Sequence, residues 1–201
     1  MPIENQLILF FGALLTGVAV ENVVFARALG LSKMYMLLHN PRTATLYGGL
    51  FTWLLTVSAV FVGVVNSLIT GMAVPAGLIA APMYFLCAGG VYVVTFLYIR
   101  RSFPAFFADI SGVLPIIAFN TALFGAFYVA LGRGFSILQT VGYSLGTGIG
   151  YTLAMLIIYY ARKRLAISPV PRSFRGLPIL FLYIGFLSLA IYGLTGHGLP
   201  T

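Results

Sequence analysis

Charge is the scarcest property of this sequence. Of its 201 residues, 7% are charged and 61% are hydrophobic, whereas about a quarter of the residues in a soluble domain are charged. Residues 43–99 contain no Asp, Glu, Lys or Arg, and this interval is long enough for two membrane spans of about 20 residues each. The sequence therefore predicts an all-α integral membrane protein.

Cysteine is nearly absent as well. Cys87 is the only one, which excludes an internal disulfide and any zinc or iron–sulfur site built from this chain's thiolates alone. The sequence also lacks a nucleophile–base pattern, a metal-ligand cluster and paired carboxylates. We therefore predict no catalytic residue and no metal site.

Six apolar stretches are separated by polar or turn-forming residues. They predict six transmembrane helices at 5–26, 44–65, 78–99, 110–131, 137–160 and 177–196. The first stretch has neither a basic region before it nor a convincing cleavage site, so we expect a retained span and not a signal peptide. Together the six spans form a single membrane domain, 1–201.

Positive charge is distributed unevenly among the predicted loops. The first, third and fifth loops hold ten of the eleven Lys and Arg residues, Arg27 among them, and only Arg133 falls on the other side. Lys and Arg favour the cytoplasmic side of a membrane, so we expect both termini outside and the basic loops in the cytoplasm. This accounts for the net charge of +8 without nucleic-acid binding, for which no basic stripe is present.

The six spans divide into two halves of three, with pseudo-repeats at about 1–100 and 101–201. An odd number of spans per half turns the second half upside down relative to the first, as in inverted repeats. The first and fourth spans each contain an asparagine, Asn22 and Asn120. Paired interruptions of this kind point to a site near the midplane of the bilayer. Its candidate residues are Glu21, Asn22, Arg27 and Asn120.

Glu21 is the one acid inside or at the edge of a predicted span. An ionised carboxylate in hydrocarbon costs at least about 2.5 kcal/mol, so a cationic partner is expected. Arg27 lies too far round a continuous helix to pair ideally, but a break between the two residues would change that geometry. Three roles stay open for Glu21: capping or neutralising a loop arginine, a proton or cation path, and organising a helix break beside a cofactor or partner.

The fifth span contains the motif VGYSLGTGIGY, in which Gly142, Gly146 and Gly150 recur at a spacing of four. Glycines on one helical face allow two membrane helices to approach closely. A phosphate-binding loop would need a following Lys-Ser/Thr pair, which is absent. The motif therefore predicts a helix-packing face.

Three stretches together resemble the membrane proteins shared by the Rnf and Na⁺-translocating NADH:quinone oxidoreductase (Nqr) complexes, specifically RnfA and NqrE. These stretches are VENVVFARALGLS, VLPIIAFNTALFGA and a block that runs from residue 141 into the last span. The resemblance covers nearly the whole chain. It implies six spans in two inverted halves, with the first and fourth spans interrupted.

The resemblance also implies a [2Fe-2S] cluster, held in the membrane between such a protein and an upside-down sister, each giving one cysteine from each interrupted span. At these two positions this chain has Ser32, after Leu-Gly-Leu, and Thr121, after Asn120. Hydroxyl groups have pKa values far too high to replace thiolates on iron. We therefore predict that this chain alone binds no cofactor, and that any iron–sulfur or flavin group belongs to partner subunits.

Two functions stay open. The first is a scaffold in an Rnf/Nqr-like ion-translocating electron-transport complex of a bacterial or archaeal cytoplasmic membrane, where the chain is at most a non-catalytic subunit of an oxidoreductase or translocase. Its partners would be the lipid bilayer, a sister six-span subunit and flavin-bearing membrane subunits. The second is a paralogue without ligand cysteines that pairs with a homodimer mate and transports a small solute or ion.

Overall fold

A computed structural model describes residues 3–31, 34, 41–69 and 76–195, and the chain is helical over most of these residues, with no strand among them. The helices are α1 (Ile3–Leu15), which continues into a π-helical turn (Thr16–Val20), α2 (Pro41–Ile69), α3 (Ala76–Ser102), α4 (Pro104–Ile110), α5 (Leu114–Ala118), α6 (Thr121–Gly132), α7 (Ile137–Ile167) and α8 (Leu177–Thr195). The prediction of an all-α protein is confirmed for this part of the chain.

Within the same residues, five helical segments are long and apolar enough to cross a membrane. They are Pro41–Ile69, Ile79–Ser102, Leu114–Gly132, Ile137–Ile167 and Leu177–Leu194. Large apolar side chains on their outer faces are exposed, for example Leu86 and Phe186, as expected where lipid is the solvent. The first apolar helix, Glu4–Val20, is shorter, because the chain leaves the helix before it has covered the predicted span. The chain is thus a multi-pass membrane protein.

Helices α2 and α7 form the most extensive pair in the fold. Gly48 of α2 faces Thr152 of α7, and at the other end Gly63 faces Ile137. Residue numbers fall on one helix as they rise on the other, so the two helices are antiparallel. Small residues at both contacts let the backbones approach closely.

Helix α1 packs against α7 through the three glycines of the VGYSLGTGIGY motif. A Cβ at Gly142 would lie 2.7 Å from the carbonyl oxygen of Phe10, and one at Gly150 would lie 2.9 Å from that of Val18. Gly146 lies between these two glycines and is packed against the backbone of α1. Only glycine leaves room for this contact. Residue numbers rise in the same direction on the two helices, so α1 and α7 are parallel.

The first apolar helix ends at Val20, and Asn22 follows directly at the interruption. The Nδ2 group of Asn22 donates a hydrogen bond to the carbonyl of Val18 at 3.0 Å, and its Oδ1 accepts from the backbone N–H of Val24 at 3.0 Å. One side chain thus satisfies a carbonyl before the interruption and an amide after it, which is what a broken helix inside a membrane requires. Residues 21–30 then continue as turns.

The fourth predicted span is interrupted at Phe119 and Asn120, between α5 and α6. Asn120 has an extended backbone, with φ −90° and ψ 136°, and its side chain accepts a hydrogen bond from the N–H of Ala122. This is the geometry of an N-terminal helix cap. Both asparagines therefore lie at helix interruptions, and each uses its side-chain oxygen to bond the amide two residues later.

Candidate functional site

The two interruptions lie side by side on α7. A Cβ at Gly150 would lie 2.8 Å from Nδ2 of Asn22, and Nδ2 of Asn120 donates to the hydroxyl of Tyr151 at 3.0 Å. Gly150 and Tyr151 are neighbours in the chain, so α7 brings the two asparagines to one level. Both asparagines are buried.

Gly30 connects the two interruptions directly. Its N–H donates to Oγ1 of Thr121 at 3.1 Å, and its carbonyl accepts a longer bond, 3.4 Å, from the Tyr151 hydroxyl. Its φ of +78° is in the left-handed region, and a Cβ would lie 2.8 Å from the Tyr151 ring and 3.0 Å from Oδ1 of Asn120. Gly30, Asn120, Thr121 and Tyr151 are called the interruption site below.

Tyr151 is held rigidly in this site. Its ring stacks on Phe51 of α2, with ring centroids 4.3 Å apart and an interplanar angle of 29°, and the residue is 2% exposed. Stacking fixes the hydroxyl between its donor and its acceptor. Sequence reasoning identified Asn120 and Thr121 but missed Gly30 and Tyr151; the available signal was a phenol at the end of a glycine-rich motif, whose hydroxyl needs a partner when buried.

Glu21 lies at the end of the π-helical turn and forms two ion pairs. Arg27 donates from Nε and Nη2 to its Oε2, at 3.1 and 2.9 Å, and Arg133 donates from Nη2 to its Oε1 at 2.5 Å. The Glu21 side chain is 9% exposed, and those of Arg27 and Arg133 are 44% and 43% exposed. A carboxylate bonded to two guanidinium groups is already charge-compensated, which favours the role of neutralising loop arginines.

The positions of Arg27 and Arg133 correct the side of the membrane expected for one of these two residues. Both lie within hydrogen-bond distance of one carboxylate, so they cannot lie on opposite faces of a hydrocarbon layer about 30 Å thick. The sequence prediction placed Arg27 on the cytoplasmic side and Arg133 outside. For one of these two residues the predicted side is therefore wrong. The helix ends before Glu21, and the following turns bring Arg27 back beside it instead of carrying it onward.

The stretches of sequence that form these contacts lie within a match to a known protein family. The model of a membrane protein family described as the Rnf-Nqr subunit matches residues 10–197, which include both interruptions and all of α7. The chain belongs to the Rnf-Nqr subunit family. It is 31% identical to a protein of Yersinia enterocolitica serotype O:8 that is named as the A component of an ion-translocating oxidoreductase complex, and 30% identical to the protein of the same name from Serratia proteamaculans. Each alignment covers 194 residues, 96% of this chain and 97% of the relative.

The donor groups of this Rnf-Nqr family member do not fit the cluster that the resemblance implies. Thr121 carries a hydroxyl, which already accepts the N–H of Gly30, and iron–sulfur clusters are held by thiolates. Cys87 instead lines a groove with Trp53 and Phe61, and no residue that lines the groove belongs to the interruption site. Ser32 lies outside the described residues. The described part of the chain therefore places no thiolate at the interruption site.

Proposed function

We propose that the chain is a membrane subunit of an ion-translocating oxidoreductase complex of the Rnf/Nqr type. Relatives that are named as components of such a complex align with 96% of the chain. The observation that carries the proposal is the hydrogen bond between Gly30 and Thr121. It joins the two stretches, LGLS and NT, in which the resembling subunits place their redox ligands.

Within this complex the chain acts as a scaffold. A metal cluster between two interrupted helices would tie them together covalently, whereas here the amide of Gly30, the side-chain amide of Asn120 and the hydroxyl of Tyr151 supply hydrogen bonds in the same place. Buried networks whose members are satisfied make a structure rigid. The chain itself contributes no cofactor ligand, and iron–sulfur and flavin groups reside on partner subunits.

The proposal includes six spans in two inverted halves, with a sister six-span subunit of opposite topology as the partner. Its support is the matched pair of interruptions, each capped by an asparagine and each packed on α7. Both termini lie outside and the basic loops lie in the cytoplasm. If Arg27 joins Arg133 on the outer side, nine Lys and Arg residues still face two, and this bias sets the same orientation.

Metal analysis tests the absence of a cluster. The assembly is purified with wild-type chain and with Thr121→Ala, and iron and acid-labile sulfide are measured per chain. Equal iron in the two preparations is expected, because the hydroxyl binds no metal. A loss of iron in the variant, with the subunit composition unchanged, would contradict the absence of a ligand at this position.

Ion uptake tests the function. Inverted membrane vesicles from cells that lack the chain are compared with vesicles from complemented cells, with the respiratory reductant supplied to both. We expect uptake driven by electron transfer only in the complemented vesicles. The purified chain alone in liposomes should conduct no ion or solute; flux there, with uptake unchanged by deletion, would favour the self-associating transporter instead.

A further inference from the structure

A basic cavity lies where α7 ends and α8 begins. Its volume is about 190 Å³, and the guanidinium-bearing residues Arg162 and Arg175 line it together with Gly176. The rest of its wall is apolar and includes Leu165 and Ile179. The cavity is therefore positively charged at its polar part and hydrocarbon-like elsewhere.

A second cavity, of about 260 Å³, lies next to the first. The two share Leu180, and the wall of the second is built only from apolar side chains: Leu31, Met34, Ile158, Leu177, Leu180, Phe181 and Ile184. These residues belong to α7, to α8 and to the helical positions 31 and 34 after Gly30. A basic cavity thus adjoins an apolar groove between membrane helices.

The end of α7 and its connection to α8 carry positive charge only. Five of the eleven Lys and Arg residues fall between positions 161 and 176, and no acid does. Arg175 donates from Nε to the carbonyl of Val170 at 2.9 Å; among the described residues its terminal nitrogens have no protein partner.

We propose that these two cavities bind one anionic phospholipid of the surrounding bilayer. Its phosphate lies between Arg162 and Arg175, since guanidinium groups match the geometry of phosphate oxygens. One acyl chain lies in the groove along Leu180. Basic pockets between transmembrane helices are suited to such head groups, and the adjoining apolar groove distinguishes a lipid from a soluble phosphate, which would leave the groove empty.

Lipid titration of the purified full chain tests this site. Native mass spectrometry in detergent measures binding of phosphatidylglycerol and of phosphatidylcholine with the same acyl chains. We expect phosphatidylglycerol to bind about ten-fold more tightly or better. Equal affinity of the two lipids for the wild-type chain would overturn the proposal.

Variants of the two arginines test whether these residues produce the preference for phosphatidylglycerol. Arg162→Gln with Arg175→Gln should abolish it, whereas Arg162→Lys with Arg175→Lys keeps the charge and should retain part of it. The matched control, Arg100→Gln with Arg101→Gln, removes two exposed arginines from the end of α3 and should leave the preference unchanged. Equal losses in the two glutamine pairs would assign the effect to diffuse charge and overturn the site.

Competition by soluble phosphate separates the two sources of the same chemistry. Inorganic phosphate and glycerol 3-phosphate are added at millimolar concentration to the lipid-bound protein. No displacement is expected, because neither molecule fills the groove at Leu180. Full displacement would assign the arginines to a soluble phosphate ligand and would contradict the lipid proposal.

Discussion

At the scale of single residues, Gly30 and Tyr151 carry the contact between the two interruptions. Gly30 has a positive φ and both of its backbone polar groups bonded across the interface. Tyr151 is buried and stacked, and its hydroxyl bonds to residues that are 31 and 121 positions away in sequence. Each residue is thus fixed by partners that no local sequence pattern specifies.

Replacing Gly30 with alanine should destabilise the protein. A left-handed backbone costs a residue with a Cβ about 1–2 kcal/mol, and here the methyl group would also press on the Tyr151 ring. The thermal midpoint in detergent and the yield of folded protein should both fall. Gly12→Ala in α1 is the control, since no atom lies within 4 Å of its Cβ position; equal effects of the two changes would contradict the assigned role of Gly30.

Glu21→Gln should also destabilise the fold, because it leaves Arg27 and Arg133 side by side without a carboxylate. Breaking a fully buried ion pair costs about 3–5 kcal/mol. The arginines here are nearly half exposed, so solvent screening reduces the expected loss to about 1–2 kcal/mol. Chemical denaturation measures it, and Glu4→Gln, an exposed acid in the first turn of α1, should change stability by less than about 0.5 kcal/mol.

Ala28→Gly should stabilise the protein. Ala28 has φ +54° and is the one described residue other than glycine with a positive φ. Relief of this strain should exceed the entropic cost of glycine, with a net gain of about 0.5–1 kcal/mol. The same measurement on Ala26→Gly, where φ is not positive, should show no gain; equal gains would mean that the strain at Ala28 has no influence.

At the scale of helices, α7 organises the molecule. It contacts α2 on one face and α1 on another, and it presents Gly150 and Tyr151 to the two interruptions. In a membrane no hydrophobic driving force holds helices together, so close packing at small residues has to do so. The approach of α1 to α7 should therefore depend on its glycines.

Gly146→Ala tests this dependence. The added methyl group would meet the backbone carbonyl of Leu14, which cannot turn away as a side chain can. Overpacking of this kind costs about 1–3 kcal/mol, and folded protein should be lost or melt earlier. Gly90→Ala on α3 has open space around its Cβ position and should melt like the wild type; a normal melting curve for Gly146→Ala would contradict the close contact.

Hydropathy predicted the positions of the helices well, but it predicted the residues at which they end less well. The charge-free run 43–99 predicted two spans, and the helices found are Pro41–Ile69 and Ala76–Ser102. Helix α7 extends to Ile167, beyond the predicted end at 160, since Arg162, Lys163 and Arg164 end the apolar pattern without ending the helix. The fourth predicted span is also broken a second time, at 111–113. The turn-forming pair Ser111-Gly112 marks this break, but the hydropathy of the span obscured it.

At the scale of the whole molecule, what sequence alone could not supply was the pairing of distant residues. Asn22 and Asn120 were predicted as interruptions from their own positions. The bond from Gly30 to Thr121 and the ion pair from Glu21 to Arg133 span 91 and 112 residues, and only the packed helices create them. The second of these also brings Arg133 beside Arg27, which the loop assignment had separated.

The family match and the hydrogen bond between the two interruptions support one claim about the whole chain. The claim is that the chain works inside an Rnf/Nqr-type assembly. The most direct test is the subunit composition of the complex that an affinity tag on this chain retrieves from native membranes in mild detergent, measured by native mass spectrometry. We predict one copy of this chain, a second six-span subunit and further subunits of an ion-translocating oxidoreductase. Recovery of the chain only by itself, as a monomer or homodimer, would contradict the claim.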